Sequence, residues 1–188
     1  MTALFTRARL IGLTVAFAIF MADQWTKHYV VEVLGFRNVG DHLSLLPFFD
    51  LTRVNNYGVS LGMFEATSLE MRWALVALTA LIALGVFVWI MREVQAWDIG
   101  GLSFVLGGAA GNIVDRYSLG YVVDFADLHI GEFRPFLIFN VADAAITIGV
   151  VILLYRALFI GEKSATDHDE PQAEPEQPGQ ARGDQPNA

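Results

Sequence analysis

Residues 107–146 read GGAAGNIVDRYSLGYVVDFADLHIGEFRPFLIFNVADAAI. Asn112, Asp115, Arg116, Asp124, Asn140 and Asp143 stand here among segments apolar enough for a lipid bilayer. A charged side chain at the bilayer centre costs roughly 2.5–3.5 kcal/mol on insertion scales. Asp143 has Phe136, Leu137, Ile138, Phe139, Val141 and Ile146 around it in sequence, none of which offers it water or a hydrogen bond. An isolated carboxylate in that setting has to be neutral, paired or put to use. Asp124 is the nearest acid that a reversal of chain direction brings alongside it.

Working outward, the chain divides into apolar runs with polar links. Hydrophobic residues make up 54% of the 188, more than an ordinary soluble domain carries, and they are bunched. Residues 73–91 hold no charge over nineteen positions, enough to cross a ~30 Å hydrocarbon core at ~1.5 Å per residue. Trp73 and Trp89 lie near the ends of that run, where indoles favour the interface. Residues 99–114 form a third apolar stretch, rich in small residues. Its Gly107-x-x-x-Gly111 spacing lets another helix approach closely. Residues 135–155 form a fourth, stopped by Arg156. The first, residues 10–31, follows the basic head Arg7 and Arg9. Ala16-Phe17-Ala18 fits a small-x-small cleavage pattern but sits mid-run, so an uncleaved helix is expected. Residues 32–68 mix short apolar alternations such as FDLTRV (49–54) with the turn signal NNYG (55–58), which predicts a small β-rich lobe outside the bilayer. Residues 115–134 read as a second extramembrane loop, with Asp127, His129 and Glu132 on its surface.

Four spans place both termini on one side. Arginine and lysine are nearly balanced between the sides and tip only slightly toward cytoplasmic termini. The net charge of −8 comes mostly from the tail, where seven acids and two bases follow from Glu162 onward. The tail after Ser164 has no bulky apolar residue and is expected to be disordered. The chain has no basic patch suited to nucleic acid. It has no cysteine, which excludes disulfides, a thiolate nucleophile and cysteine-ligated metals.

The polar residues converge. At helical spacing Asn112, Asp115 and Arg116 share one face, as do Asn140 and Asp143, and as do Asp23 and Lys27. All three sets emerge at the same membrane level. Two carboxylates in a low-dielectric pocket do not both ionise cheaply and tend to share a proton. One then acts as base on a water while the other donates to the scissile carbonyl, which hydrolyses an amide without a metal. Asp124 and Asp143 are that pair. Asp115 reads as structural, and Asp23–Lys27 reads equally well as a plain helix-end ion pair.

Competing chemistries fit less well. Gly58-Val59-Ser60-Leu61-Gly62 is a literal G-x-S-x-G, but there is no room around it for the α/β sheet that motif requires. The lysines are Lys27 and Lys163 alone, so a Ser/Lys hydrolase is not supported. The four histidines lack H-E-x-x-H spacing, and the G-x-G-D of presenilin-type proteases is absent. A small proton-coupled transporter would also carry buried acids. Here, however, they gather at one level, the second span has no polar group beyond Thr79, and no internal repeat is visible. A scaffold protein leaves the buried acids unexplained.

Five blocks in order, DQWTK (23–27), NYG (56–58), GGAAGNIVDR (107–116), VVDF (122–125) and FNVADAAI (139–146), resemble those of bacterial lipoprotein signal peptidase, the signal peptidase II family. The resemblance runs from the first span to the fourth and leaves the tail unmatched. It implies a membrane all-α fold of four transmembrane helices with a small β-rich extracytoplasmic lobe. One embedded peptidase domain would occupy residues 1–163, followed by a disordered acidic cytoplasmic tail at 164–188. It implies an intramembrane aspartyl endopeptidase of the bacterial inner membrane that removes signal peptides from prolipoproteins, cutting before a diacylglyceryl-modified cysteine. Asp124 and Asp143 would be catalytic, with Asp23, Asn56, Asn112, Arg116 and Asn140 supporting or contacting substrate. No metal or cofactor is expected. Partners would be prolipoprotein substrates, membrane lipid and globomycin-type inhibitors. The termini would face the cytoplasm and the site the extracytoplasmic side.

Overall fold

The computed structural model describes residues 6–58 and 69–159. Four long helices carry a three-stranded antiparallel sheet at one end. Helix α1 spans Arg7–His28, capped by the Thr6 hydroxyl on the Arg9 N–H, and continues as one wider turn over Tyr29–Val33. Strands β1 (His42–Leu46) and β2 (Phe49–Asn56) form a hairpin. Helix α2 (Leu69–Arg92) leads through a short link to α3 (Ala96–Ser118). Strand β3 (Val122–Leu128) then pairs with β2, giving sheet order β1-β2-β3, and α4 (Val141–Phe159) closes the described chain. Serine 60 of the G-x-S-x-G stretch, the end of the expected lobe and the whole tail from 164 lie outside the described residues.

Three helices are long and apolar enough to cross a membrane: Arg7–Val33, Leu69–Arg92 and Val141–Phe159. The third expected span is the long helix α3, but its composition does not meet that standard, and its position explains why. It packs against α1, α2 and α4 at once, so its sides face protein instead of hydrocarbon. Gly107 lies against α1, where a Cβ would come within 2.5 Å of the Ala16 carbonyl oxygen. Gly111 lies on the same side against the Asp23 carboxylate, and Gly108 faces the Ala142 carbonyl of α4. Close backbone approach is the main source of packing attraction where no water drives helices together. By contrast Ile90 is the one residue of α2 that is buried.

Several boundaries differ from expectation for local reasons. Residues 135–140 are not helical. Phe139 pairs instead with the edge of β3, its carbonyl accepting from Phe125 and Ala126 and its N–H donating to Ala126. The helix therefore starts at Val141, behind Asn140. The presumed loop at 115–134 contains the last turn of α3 and all of β3, whose first six residues are buried. Strand β2 runs through Asn56, so the turn narrows to Gly58, with φ of +99° and its N–H on Asn56 Oδ1 at 2.9 Å. Val30, Phe36, Phe125 and Ala126 pack between sheet and helices, so the lobe is fixed to the bundle at the level where the polar residues gather.

Candidate active site

The start of α4 sets the geometry. Asn140 Oδ1 accepts from the Asp143 N–H at 2.9 Å, while Asp143 Oδ2 accepts from the Asn140 N–H at 3.4 Å. This is a reciprocal capping box, which satisfies helix N–H groups that no helical carbonyl reaches. A third acceptor comes from α1: Asp23 Oδ1 takes the Ala142 N–H at 2.9 Å. Asp143 thus stands in the first turn of a helix, a position that suits an anion.

From there a chain of side-chain amides leads to the second acid. Asn112 on α3 donates Nδ2 to Asp143 Oδ1 at 2.8 Å and receives Asn140 Nδ2 on its own oxygen at 3.2 Å. Asn140 Nδ2 also reaches Asp124 Oδ1, at 2.6 Å, and Asn56 Nδ2 reaches Asp124 Oδ2, at 3.0 Å. The sheet delivers these last two together, since β2 carries Asn56 beside β3 with Val54 opposite Asp124. Asp124 is 2% exposed and Asn140 fully buried. Burial first, and the charge of Asp143 second, push the Asp124 carboxyl up to about 7; the Asn56 and Asn140 amides and the Lys27 charge pull the other way. A cavity of about 600 Å³ opens beside it, bounded by Asn56, Asp124, Arg134 and the apolar residues 135–138.

Beneath the dyad lies a second polar cluster. Lys27 Nζ is 2.7 Å from Asp23 Oδ2, 2.9 Å from Asp115 Oδ2 and 3.3 Å from Asn112 Oδ1. Asp115 also accepts from Gln24 Nε2 at 3.0 Å and from the Val123 N–H at 3.1 Å. It is structural, as its sequence setting suggested. Arg116 interacts electrostatically with Asp143, Asp124 and Asp115 without an ion pair to any of them among the described residues, and its buried Nε has no hydrogen-bond partner there.

Every site residue singled out from sequence therefore belongs to one connected region. Lys27 and Gln24 were not among them. The spacing of Lys27 from Asp23 was a signal, whereas Gln24 follows Asp23 directly and carried none. Two readings need correction. Asp127 is not loop surface: it is 1% exposed on β3 and takes the Arg134 Nε–H on both its oxygens. His129 is largely buried with Nε2 3.2 Å from an Asp50 oxygen, while Glu132 is exposed as expected. The cause is the folding back of 133–139 over β3, which covers what the sequence leaves open. Among the described residues no group of three or more His, Asp or Glu side chains is gathered as metal ligands are.

A family model described as signal peptidase (SPase) II matches residues 15–159. The lipoprotein signal peptidase of Sphingopyxis alaskensis is 52% identical over 153 residues, covering 81% of this chain and 88% of its own. That of Rhizorhabdus wittichii is 52% identical over 154 residues, covering 82% and 89%. A solved bacterial membrane enzyme superposes with a TM-score of 0.69 at 26% identity, covering 87% of this chain and 94% of its own.

Proposed function

The chain belongs to the signal peptidase II family, and from that premise we propose that it is an intramembrane aspartyl endopeptidase. It removes signal peptides from prolipoproteins by cutting before a diacylglyceryl-modified cysteine. The observation that carries this reading is the amide bridge Asp143–Asn112–Asn140–Asp124, which holds two carboxylates at the edge of one cavity.

Asp124, with its raised pKa, holds the shared proton, and Asp143 acts as base. Asp143 takes a proton from a water as its oxygen bonds to the scissile carbonyl carbon, while Asp124 protonates the carbonyl oxygen. The resulting diol collapses as the C–N bond breaks, and the proton held by Asp143 passes to the leaving nitrogen. Asn112 and Asn140 fix the carboxylates before the reaction, so little reorganisation remains at the barrier. Arg116 grips the substrate backbone near the dyad, and Asp23 and Asn56 support the two acids from either side. Globomycin-type inhibitors compete in the same cavity.

We also place α3 as a fourth span of the bacterial inner membrane. Both termini are then cytoplasmic, the dyad is near the extracytoplasmic face, residues 1–163 form one embedded domain, and the tail from 164 is dispensable. Support comes from the 23-residue length of α3 and its packing among three apolar helices. Because the chain has no cysteine, Trp97→Cys and Leu119→Cys test this directly. An impermeant thiol reagent should label the two from opposite sides of the membrane; labelling from one side would remove the fourth span.

The reaction is tested in vesicles with a diacylglyceryl-modified prolipoprotein. Wild type should cleave before the cysteine and Asp143→Asn should not. Equal cleavage by both would move the chemistry away from the dyad.

A further inference from the structure

The cavity beside Asp124 carries a cation that the dyad does not use. Arg134 lines it, and its Nε–H is shared between the two oxygens of Asp127 at 3.1 and 3.2 Å. Asp127 is Arg134's one ion-pair partner among the described residues. Asp127 is itself buried and further held by the Thr52 hydroxyl at 3.4 Å. A guanidinium has five N–H donors, and this pairing occupies one. The four on the terminal nitrogens have no partner among the described residues, and the side chain is 51% exposed. The cation is anchored at its neck from below and open at its tip.

The chemistry of the surroundings narrows what that tip receives. Asp127 already balances the Arg134 charge, so an incoming anion gains little net attraction. Asp124 lines the same cavity with Asp143 joined to it through two amides, and their negative charge disfavours a second anion. A neutral acceptor suffers neither penalty. Pro135 and Phe136, next in the chain and also lining the cavity, suit hydrocarbon beside it.

We propose that Arg134, held in place by Asp127, is a substrate-binding residue whose terminal N–H groups donate to carbonyl oxygens of the lipid-bearing segment. This rests on the reading that the cavity receives a diacylglyceryl-modified peptide. Two parts of such a substrate present neutral carbonyls: the peptide backbone next to the cysteine and the two acyl esters.

The test uses the full-length enzyme in vesicles and two substrates, one with acyl esters and one with alkyl ethers in their place. Arg134→Gln alone leaves Asp127 buried without its cation, so the double variant Arg134→Gln/Asp127→Asn is measured beside it. Loss of one or two hydrogen bonds to a charged donor should raise KM roughly 10- to 100-fold, with kcat nearly unchanged, because binding is lost equally in ground and transition states. If wild type already binds the ether substrate more weakly and the double variant binds both alike, the acceptors are the esters. If wild type binds both alike and the variant binds both more weakly, the acceptors are backbone carbonyls. A variant with KM within about twofold of wild type on both substrates overturns the proposal. Absence of cleavage by wild type would instead remove the peptidase reading itself, and the inference with it.

Discussion

Asp115 and Asp124 lie on either side of one tight corner of the chain, both almost inaccessible at 5% and 2% exposure, and their surroundings are opposite. Asp115 touches a cation: Lys27 sits 2.9 Å from it and 2.7 Å from Asp23, so positive charge fills the space between the two acids. A side-chain amide and a backbone N–H complete its shell. Asp124 has two side-chain amides, no cation within ion-pair distance among the described residues, and Asp143 as its nearest charged relation. Burial alone does not make a carboxylate reactive. A buried carboxylate with a cation stays an anion and holds structure, whereas one facing another acid retains a proton it is able to give. Asn112 joins the two regions, its oxygen toward Lys27 and its nitrogen toward Asp143.

The largest effects should separate these roles. Asp124→Asn or Asp143→Asn should lower turnover at least about 1000-fold, within the range of removing a general acid or base, and leave thermal unfolding in detergent close to wild type. Asp115→Asn should do the reverse, lowering the unfolding temperature while well-folded enzyme keeps measurable turnover. Folded Asp115→Asn as inactive as Asp143→Asn would erase the distinction. Next comes Lys27→Met, which leaves Asp23 and Asp115 buried without their cation and should cost about 3–5 kcal/mol. Adding Asp115→Asn should recover part of that loss; a double variant less stable than Lys27→Met would contradict the ion-pair account. Gly111→Ala should be milder, about 1–3 kcal/mol of overpacking against the Asp23 carboxylate, measured by the same unfolding curve. A neutral outcome would mean that α1 and α3 separate more easily than their contact suggests.

How much of this was readable beforehand depends on how far the governing contact lies along the chain. Helices α2 and α4 declare themselves by uninterrupted apolar residues, because lipid imposes that composition. Helix α3 is muted because its neighbours are helices, and glycine and asparagine serve that setting better than leucine does. The i,i+3 pair Asn140 and Asp143 was visible as one helix face, though not as the cap that shifts the helix start past residue 140. Strand β3 was not visible at all: VVDFADL carries acids at 124 and 127, and its partners in β2 are some seventy positions earlier. The same distance hid the burial of Asp127 and the use of Arg134.

The smallest effect probes the dyad's proton. Asp124 titrates near 7 instead of near 3.8 because burial and Asp143 disfavour its anion. Between the ordinary carboxylate range and about 7, the folded protein therefore holds a proton that the unfolded chain releases. Stability from this group accordingly falls as pH rises through that window. Activity follows the same proton: with Asp143 as base and Asp124 as acid, kcat/KM should decline as pH climbs through about 7. The Asn56 amide donates to Asp124 Oδ2 and favours the anion. Asn56→Ala removes that donor, so the alkaline limb of the profile should move to higher pH, even as the rate at the optimum drops through looser positioning. A limb that stays in place would mean that Asp124 is not the group being titrated. A limb that moves to lower pH would mean that Asn56 stabilises the protonated acid, and the acid and base roles of the two aspartates would have to be exchanged.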